Sequence, residues 1–491
     1  MYKKVTLISL PKQDLIRPPG ALPILAAACE DYNIDYEIRD FNLWLYKNTD
    51  KSVWNSINDN WDNADPFDAI NQHYYKIFLE KLKTFIDLVI LDSSDLIAIS
   101  VFADNASVCA VEFIRELNSR QSRSKFDIAI GGSGIRARLP QFNDQELCCA
   151  LLDQKLINYY LFGEGEEIFR KLLVGETKFQ GINNFELKQI ENLDYYPFPS
   201  YKKINPLDYE YTVNPEVIIT GSRGCVRACT YCDVAKYWPK FRYRSGVKIA
   251  EELYNYFTTT GIHNFEFSDS LINGSIKQFR EMNKALIGYK KIDPKFNISY
   301  KGQFICRSKN QFKEQDYIDM KQAGCNYIYV GVESFSDPVR HAMDKKFNNE
   351  DLDFHLQMCG RYNIKNSFLM LVGYPTETLE DHKKNLETLK KYQHYAQAGV
   401  IAMIVFGYTA GILEDTPLYH LQQNLNIVPE FSTKGIGSAN WISLNNRSLN
   451  LKERIRRWVE LTEVASALGY SMPRNMHYIN RFINLLEKTK K

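Results

Sequence analysis

At 491 residues the chain is longer than one ordinary hydrophobic core organises, so two large domains are expected. The 61 Lys plus Arg against 59 Asp plus Glu leave a formal charge of +2, which excludes a global electrostatic case for a polyanionic partner, while 45% hydrophobic residues exclude a disordered chain. Ten cysteines over this length exclude a disulfide-dense scaffold. The amino-terminal run MYKKVTLISL is too short for a signal-peptide core or a membrane span, so a cytoplasmic protein with no membrane partner is expected. No basic stretch interleaved with aromatics marks a nucleic-acid partner.

In chain order, KKVTLISL reads as a strand, ALPILAAACEDY as a helix and DYEIRDF as a second strand. A polar insertion over about 44–88 ends in the amphipathic run INQHYYKIFLEKLKTFIDLVI, expected to cover one edge of a sheet. LIAISVF, FDIAIGG and NYYLFGEG read as further buried strands, with the helical ASVCAVEFIRELNSR between the first two. This alternation over residues 1–180 predicts a doubly wound, Rossmann-like α/β domain with ligands at the carboxyl ends of its strands. The proline-marked stretch 181–209 favours extended backbone and is the expected linker.

From 210 to 420 six strand-like runs, EVIITGS, NFEFSDS, ISYKGQFI, YIYVGVES, SFLMLVGY and VIAMIVFGY, alternate with helical patterns. Six such units predict a partial (β/α)6 barrel of the TIM type, with chemistry on the loops that follow the strands. Residues 421–491, including LKERIRRWVELTEVASALGY and NMHYINRFINLLEKTKK, read as an amphipathic C-terminal helical region.

The loop after the first barrel strand, GSRGCVRACTYC, carries Cys225, Cys229 and Cys232 as C-x3-C-x2-C, so three thiolates can converge from one loop while Gly221 and Gly224 relax the backbone. A structural zinc would need a fourth ligand from a second Cys or His pair, and none stands nearby. A cubane iron-sulfur cluster held by three thiolates would keep one iron open to an exogenous ligand. The remaining cysteines, among them Cys29, Cys109, Cys148, Cys149 and Cys359, read as small buried apolar residues.

This loop, with the aromatic Tyr231 before its last cysteine, resembles that of the radical S-adenosylmethionine (radical SAM) superfamily. The resemblance implies a [4Fe-4S] cluster on Cys225, Cys229 and Cys232, SAM chelated to the open iron, and reductive cleavage of SAM to a 5'-deoxyadenosyl radical with electrons from a donor such as flavodoxin or ferredoxin. It also implies SAM contacts from Tyr231, from Ser268 and Asp269 in FEFSDS, from Arg307, from Glu333 and Ser334 in YVGVES, and from Gly373 in GYPTET. The first domain resembles the cobalamin-binding domain of cobalamin-dependent radical SAM methyltransferases through Ser100, the Gly131–Gly132 pair, and Gly163 with Glu164. In this case cobalamin would carry the methyl group to an unactivated carbon of a small-molecule or peptide substrate. The string D-x-H-x-x-G, whose histidine ligates cobalt in many such domains, is absent, and His73 is the one histidine before the barrel. Two other enzyme readings stand beside methyl transfer: radical cyclisation or rearrangement, and a methylthiotransferase. The second would need an amino-terminal cysteine triplet, which Cys29, Cys109 and Cys148 do not form. A non-catalytic, metal-stabilised binding protein is a further alternative.

Overall fold

A computed structural model describes residues 2–11, 15–60, 72–120, 125–209, 215–429 and 441–473. It divides into two units, Met1–Ile218 with Thr260–Ile262, and Ile219–Thr259 with His263–Lys491.

The first unit is built on β1 (Lys4–Ser9), β2 (Asp35–Asp40), β3 (Leu96–Ser100), β4 (Asp127–Gly131) and β5 (Tyr159–Leu161). Their order is β2-β1-β3-β4-β5, and every pair is parallel. This is a doubly wound arrangement whose strand order reverses between β1 and β3. The central strand β3, LIAIS, is buried at all positions, as a strand covered on both faces must be. The edge strand β2 is mostly half-exposed and carries charge at both ends.

The described part of the insertion is helical. In helix Gln72–Leu91, Phe78, Leu82, Phe85, Ile86 and Val89 fall on one stripe and enter the core beside Phe41 and Phe113. Phe85 meets Phe41 at 4.6 Å between ring centroids. His73, on the same helix, is exposed. Residues 181–209 belong to the first unit, where Ile182, Ile190 and Leu193 are buried and Ser200 donates its N–H to Pro23 O at 2.9 Å.

The second unit contains β6 (Glu216–Ile219, at the boundary), β7 (Ser222–Arg223), β8 (Arg242–Tyr243), β9 (Asn264–Phe267), β10 (Ser299–Phe304), β11 (Cys325–Glu333), β12 (Lys365–Val372), β13 (Ile401–Thr409), β14 (Ile427–Pro429) and β15 (Trp441–Ser443). Six of these form one sheet in the order β13-β12-β11-β10-β9-β6, so each strand lies beside its sequence neighbour. The pairs from β9 to β13 are parallel. Helices Gly246–Thr260, Ile276–Ile292, Glu314–Ala323, Asn349–Arg361 and Leu379–Gln397 make the connections. Their starts are written in the sequence: Asn348 and Thr378 each accept the N–H of an aspartate three residues on, whose carboxylate returns to the cap, a closed capping box.

The C-terminal region is not wholly helical. Residues of β14 and β15 pair antiparallel before helix Leu451–Ala467, because Ile427 and Trp441 bury their side chains against Leu418 and Ala410. The second expected amphipathic run, 475–491, lies outside the described residues.

Candidate functional site

The cysteine loop leaves the sheet after β6 and is pinched at its neck. Ser222 pairs with Tyr243 and Arg223 with Arg242, antiparallel, so residues 224–241 form a closed excursion. Gly224 has φ +81°, and a Cβ there would lie 2.7 Å from Lys240 O; glycine is required for the two arms to meet. Farther out, Thr230 fastens the loop to three other places in the unit. Its N–H donates to Met343 O at 3.1 Å, its hydroxyl shares a 2.7 Å hydrogen bond with the Tyr374 hydroxyl, and its carbonyl accepts from Leu418 N at 2.7 Å. These partners follow β11, β12 and β13, so the middle of the loop is held over the carboxyl ends of the sheet.

Cys225, Cys229 and Cys232 are half-buried free thiols on this loop. Burial pushes all three up, Cys232 to about 11, so metal-free thiols carry their protons at neutral pH. Lys345 pulls Cys225 and Cys229 the other way, joined at Cys225 by Arg227 and Arg307. The three Sγ atoms do not all lie within 4.8 Å of one another, but three half-buried thiols on one loop beside cations suit a site that holds thiolates. The donor set fits an iron-sulfur cluster with three protein ligands.

Asp269, after β9, is 3% exposed and faces the neck of the loop. Its Oδ1 accepts from Gly221 N at 2.7 Å and its Oδ2 from the Ser222 hydroxyl at 2.6 Å. Desolvation raises its pKa to about 7 against the opposing hydrogen bonds. Ser268 is exposed, with its hydroxyl 2.9 Å from that of Thr220. Arg307, beyond β10, is 9% exposed and donates from Nη2 to Asn273 O at 3.0 Å and Gly274 O at 2.7 Å.

Glu333 ends β11 at φ +64°, a left-handed conformation rare for glutamate, beside a register shift that follows Gly331. Its carboxylate pairs with Lys345 at 3.1 Å, and Lys345 also donates to Gly331 O at 2.6 Å. Tyr231 interacts with Glu333 and Cys229, and its ring centroid is 5.8 Å from Lys345 Nζ. Glu333, Tyr231 and the loop cysteines therefore share one neighbourhood organised by Lys345. Sequence reasoning missed this lysine, together with Thr230 and Tyr374; the available signal was the Lys345–Lys346 pair twelve positions after Glu333. Ser334 is fully buried, with its hydroxyl directed to Asn385 Oδ1 at 3.1 Å. Gly373 has φ +75° and a backbone N–H that donates to Glu377 at 3.1 Å.

In the first unit Ser9, Ser100 and Gly131 stand in register across β1, β3 and β4, a row of small residues at the carboxyl edge where the strand order reverses. Gly132 follows at φ +102°, and a Cβ there would meet Val101 O at 2.4 Å. Next to this row Phe102 is 62% exposed. Small residues at this edge would let a planar ligand approach the strand ends beside the exposed Phe102. Gly163, at φ +112°, turns β5 into the next helix, and Glu164 is buried with Oε2 accepting Ile190 N at 3.1 Å. Cys29, Cys109 and Cys148 are each buried.

Residues 219–389 match the family described as the radical SAM superfamily. An uncharacterized methyltransferase of Pyrococcus horikoshii is 26% identical over 257 residues, 48% of this chain and 53% of the relative. The chain spans about half the length of the first curated relatives it matches. Among solved structures, the radical SAM methyltransferase TsrM from Kitasatospora setae superposes with a TM-score of 0.64 at 14% identity, over 100% of each chain. The cobalamin-dependent radical SAM enzyme OxsB, with aqua-cobalamin bound, gives 0.59 at 15% identity, covering 89% of this chain and 65% of that one. At these identities the structural matches establish a common fold. The family match and the cysteine loop agree on one stretch of chain: residues 219–389 form a radical SAM domain, which implies SAM and a [4Fe-4S] cluster.

Proposed function

We propose that the protein is a cobalamin-dependent radical SAM methyltransferase acting on an unactivated carbon of a small-molecule or peptide substrate, with flavodoxin or ferredoxin as electron donor. The observation that carries the reading is the loop of Cys225, Cys229 and Cys232, pinned through Thr230 over the strand ends, in a chain whose other unit presents the Ser9, Ser100 and Gly131 row. When bound, the cluster and SAM supply a 5'-deoxyadenosyl radical and cobalamin supplies a transferable methyl group.

The chain's own residues do the rest. Cys225, Cys229 and Cys232 hold three irons. Glu333, oriented by Lys345, would accept hydrogen bonds from SAM, and the exposed Ser268 hydroxyl, after β9 and so two strands away in the sheet, would be a second polar contact. Asp269 acts one step back, holding Gly221 and Ser222 at the neck of the loop. Tyr231 covers the loop from the side of β11 and limits water. Gly131, Gly132 and Gly163 would line the strand ends facing a corrin's nucleotide tail, with Gly132 and Gly163 themselves packed against Val101, Ile168 and Leu187.

The test is anaerobic reconstitution with iron, sulfide and hydroxocobalamin, followed by turnover with methyl-labelled SAM and a chemical reductant. Retained cobalamin with label passing from SAM to cobalamin is expected. Formation of 5'-deoxyadenosine without cobalamin retention would replace methyl transfer by radical rearrangement, and failure to bind iron would remove the enzymatic reading.

A further inference from the structure

Among the described residues of the second unit, buried arginines are as a rule matched. Arg457 pairs with Glu377 at 2.9 Å, Arg244 pairs with Glu252, Arg340 pairs with Asp337, and Arg454 lies 3.8 Å over the Trp441 ring. The buried Arg307 and the half-buried Arg227 break this pattern. Neither forms an ion pair among the described residues, which sets them apart; the Nε without a hydrogen-bond partner that each carries also occurs at the ion-paired Arg340.

Both lie at the cysteine loop. Arg227 stands two residues after Cys225, and its backbone N–H donates to Cys225 Sγ at 3.3 Å. Arg307 approaches from the end of β10, anchored by Nη2 on the Asn273 and Gly274 carbonyls. Arg307 is close enough to act electrostatically on Cys225, and the two guanidiniums repel each other. Two like charges held near each other, one buried and one half-buried, with no counter-ion are costly, and such an arrangement persists where an anion repays it. Lys345 is a different case, because Glu333 neutralises it.

We propose that Arg227 and Arg307 are the counter-charges of the thiolate-bound iron-sulfur cluster and hold its reduced state within reach of a cellular reductant. The inference rests on the cluster reading above. A cubane held by three thiolates carries a net negative charge, and the single electron taken from a flavodoxin- or ferredoxin-class donor adds another. Each guanidinium in a low-dielectric setting favours the more negative state, so it raises the reduction potential. Their role is one of charge. A residue with the same charge and a different shape preserves it, and a neutral residue of similar length does not.

The experiment is a potentiometric titration of the anaerobically reconstituted full chain, followed by electron paramagnetic resonance of the reduced cluster, with iron and sulfide per chain measured first. Arg227→Gln and Arg307→Gln are each expected to be about tenfold harder to reduce, which is about 59 mV for a one-electron couple. Arg307→Lys is expected to titrate with the parent, as is the control Arg280→Gln, whose arginine pairs with Asp316 at 2.6 Å away from the loop. A cluster retained by Arg307→Lys and lost by Arg307→Gln also supports the assignment. Parent-like potentials in both glutamine variants would overturn it, as would an Arg307→Lys shift or cluster loss as large as that of Arg307→Gln. A parent chain that binds no iron refutes the cluster reading itself, a result the iron assay separates from failure of the counter-charge.

Discussion

Gly331→Ala should separate the SAM site from the fold. Gly331 does not use a left-handed backbone, so alanine meets no conformational strain there. A Cβ at this position would lie 2.6 Å from Glu333 Oε1 and 3.1 Å from Lys345 Nζ, the tips of two side chains that can move. The ion pair must therefore be displaced while the β11 backbone stays. Removing a glycine also narrows the unfolded ensemble, which offsets part of the local cost, so the net change in stability should stay within about 1 kcal/mol, or about 2–4 °C in thermal midpoint. The effect on SAM is larger. If Glu333 accepts a charge-assisted hydrogen bond from SAM, its displacement loses about 1.5–3 kcal/mol, a weakening of about ten- to one-hundred-fold in Kd. Anaerobic equilibrium dialysis with labelled SAM measures it, with iron content and thermal midpoint as controls. Lys345→Met should weaken SAM in the same direction, since Glu333 then has no cation to hold it at φ +64°. A Gly331→Ala protein with normal iron and parental SAM affinity would refute the reasoning and leave Glu333 as a structural ion-pair residue.

Further outcomes are expected. Cys225→Ala, Cys229→Ala or Cys232→Ala should each abolish iron retention, while Cys109→Ala and Cys359→Ala, both at buried positions away from the loop, should keep it in an iron assay. The Asp269 carboxyl is raised from 3.8 to about 7 in the folded state, so its stabilising effect is complete below the unfolded value and is lost as pH rises through about 7, a fall of about 4 kcal/mol across that window. Asp269→Asn should flatten that part of a stability-against-pH curve measured by denaturant unfolding of the metal-free chain, and an unchanged slope would count against the buried placement. Glu377→Gln leaves the buried Arg457 with Glu453 as its remaining carboxylate partner and should cost less than the about 3–5 kcal/mol of a fully unpartnered buried charge, read as a lower denaturation midpoint. His73→Ala should leave the absorption spectrum of bound cobalamin unchanged, since His73 is exposed on the insertion helix; a spectral change would make it a cobalt ligand.

Strong periodicity was legible wherever one face of an element is buried. LIAIS and FDIAIGG became central strands, and the 72–91 stripe became a core helix, because burial on both faces or on one stripe leaves a period in the residue types. The cysteine spacing was legible for a different reason: three metal-ligating side chains on one loop need no tertiary context to be noticed. Side-chain direction was not legible. Position marked Asp269 and Glu164 at strand ends, yet the former turns to the Gly221 and Ser222 neck and the latter to Ile190 N, and nothing local encodes which way a carboxylate points. Long-range stitches were equally hidden. Thr230 reads as an unremarkable loop residue until Met343, Tyr374 and Leu418, more than one hundred residues away, supply its partners. The strands of β14 and β15 are too short to show a period.

The same limit explains why the C-terminal helix reads as packing when it also shapes the strand end. Gly373, whose backbone would line the adenine of SAM, is held by residues some eighty positions later. A Cβ on it would lie 2.5 Å from Arg454 Cδ, so glycine is demanded both by its φ of +75° and by the arginine pressed against it. Arg454 is kept in place by the Trp441 ring and by the Trp441 and Leu449 carbonyls, while the Trp441 indole donates to Ala410 O at 2.7 Å, just beyond β13. Glu377 completes the arrangement: one carboxylate oxygen accepts from Gly373 N and the other from Arg457. Glycine and glutamate in GYPTET therefore have one joint purpose, to present a backbone edge whose position is set by two buried arginines of helix Leu451–Ala467. The motif alone cannot form that edge, and helix Leu451–Ala467 would belong to a SAM site there as much as the strands do.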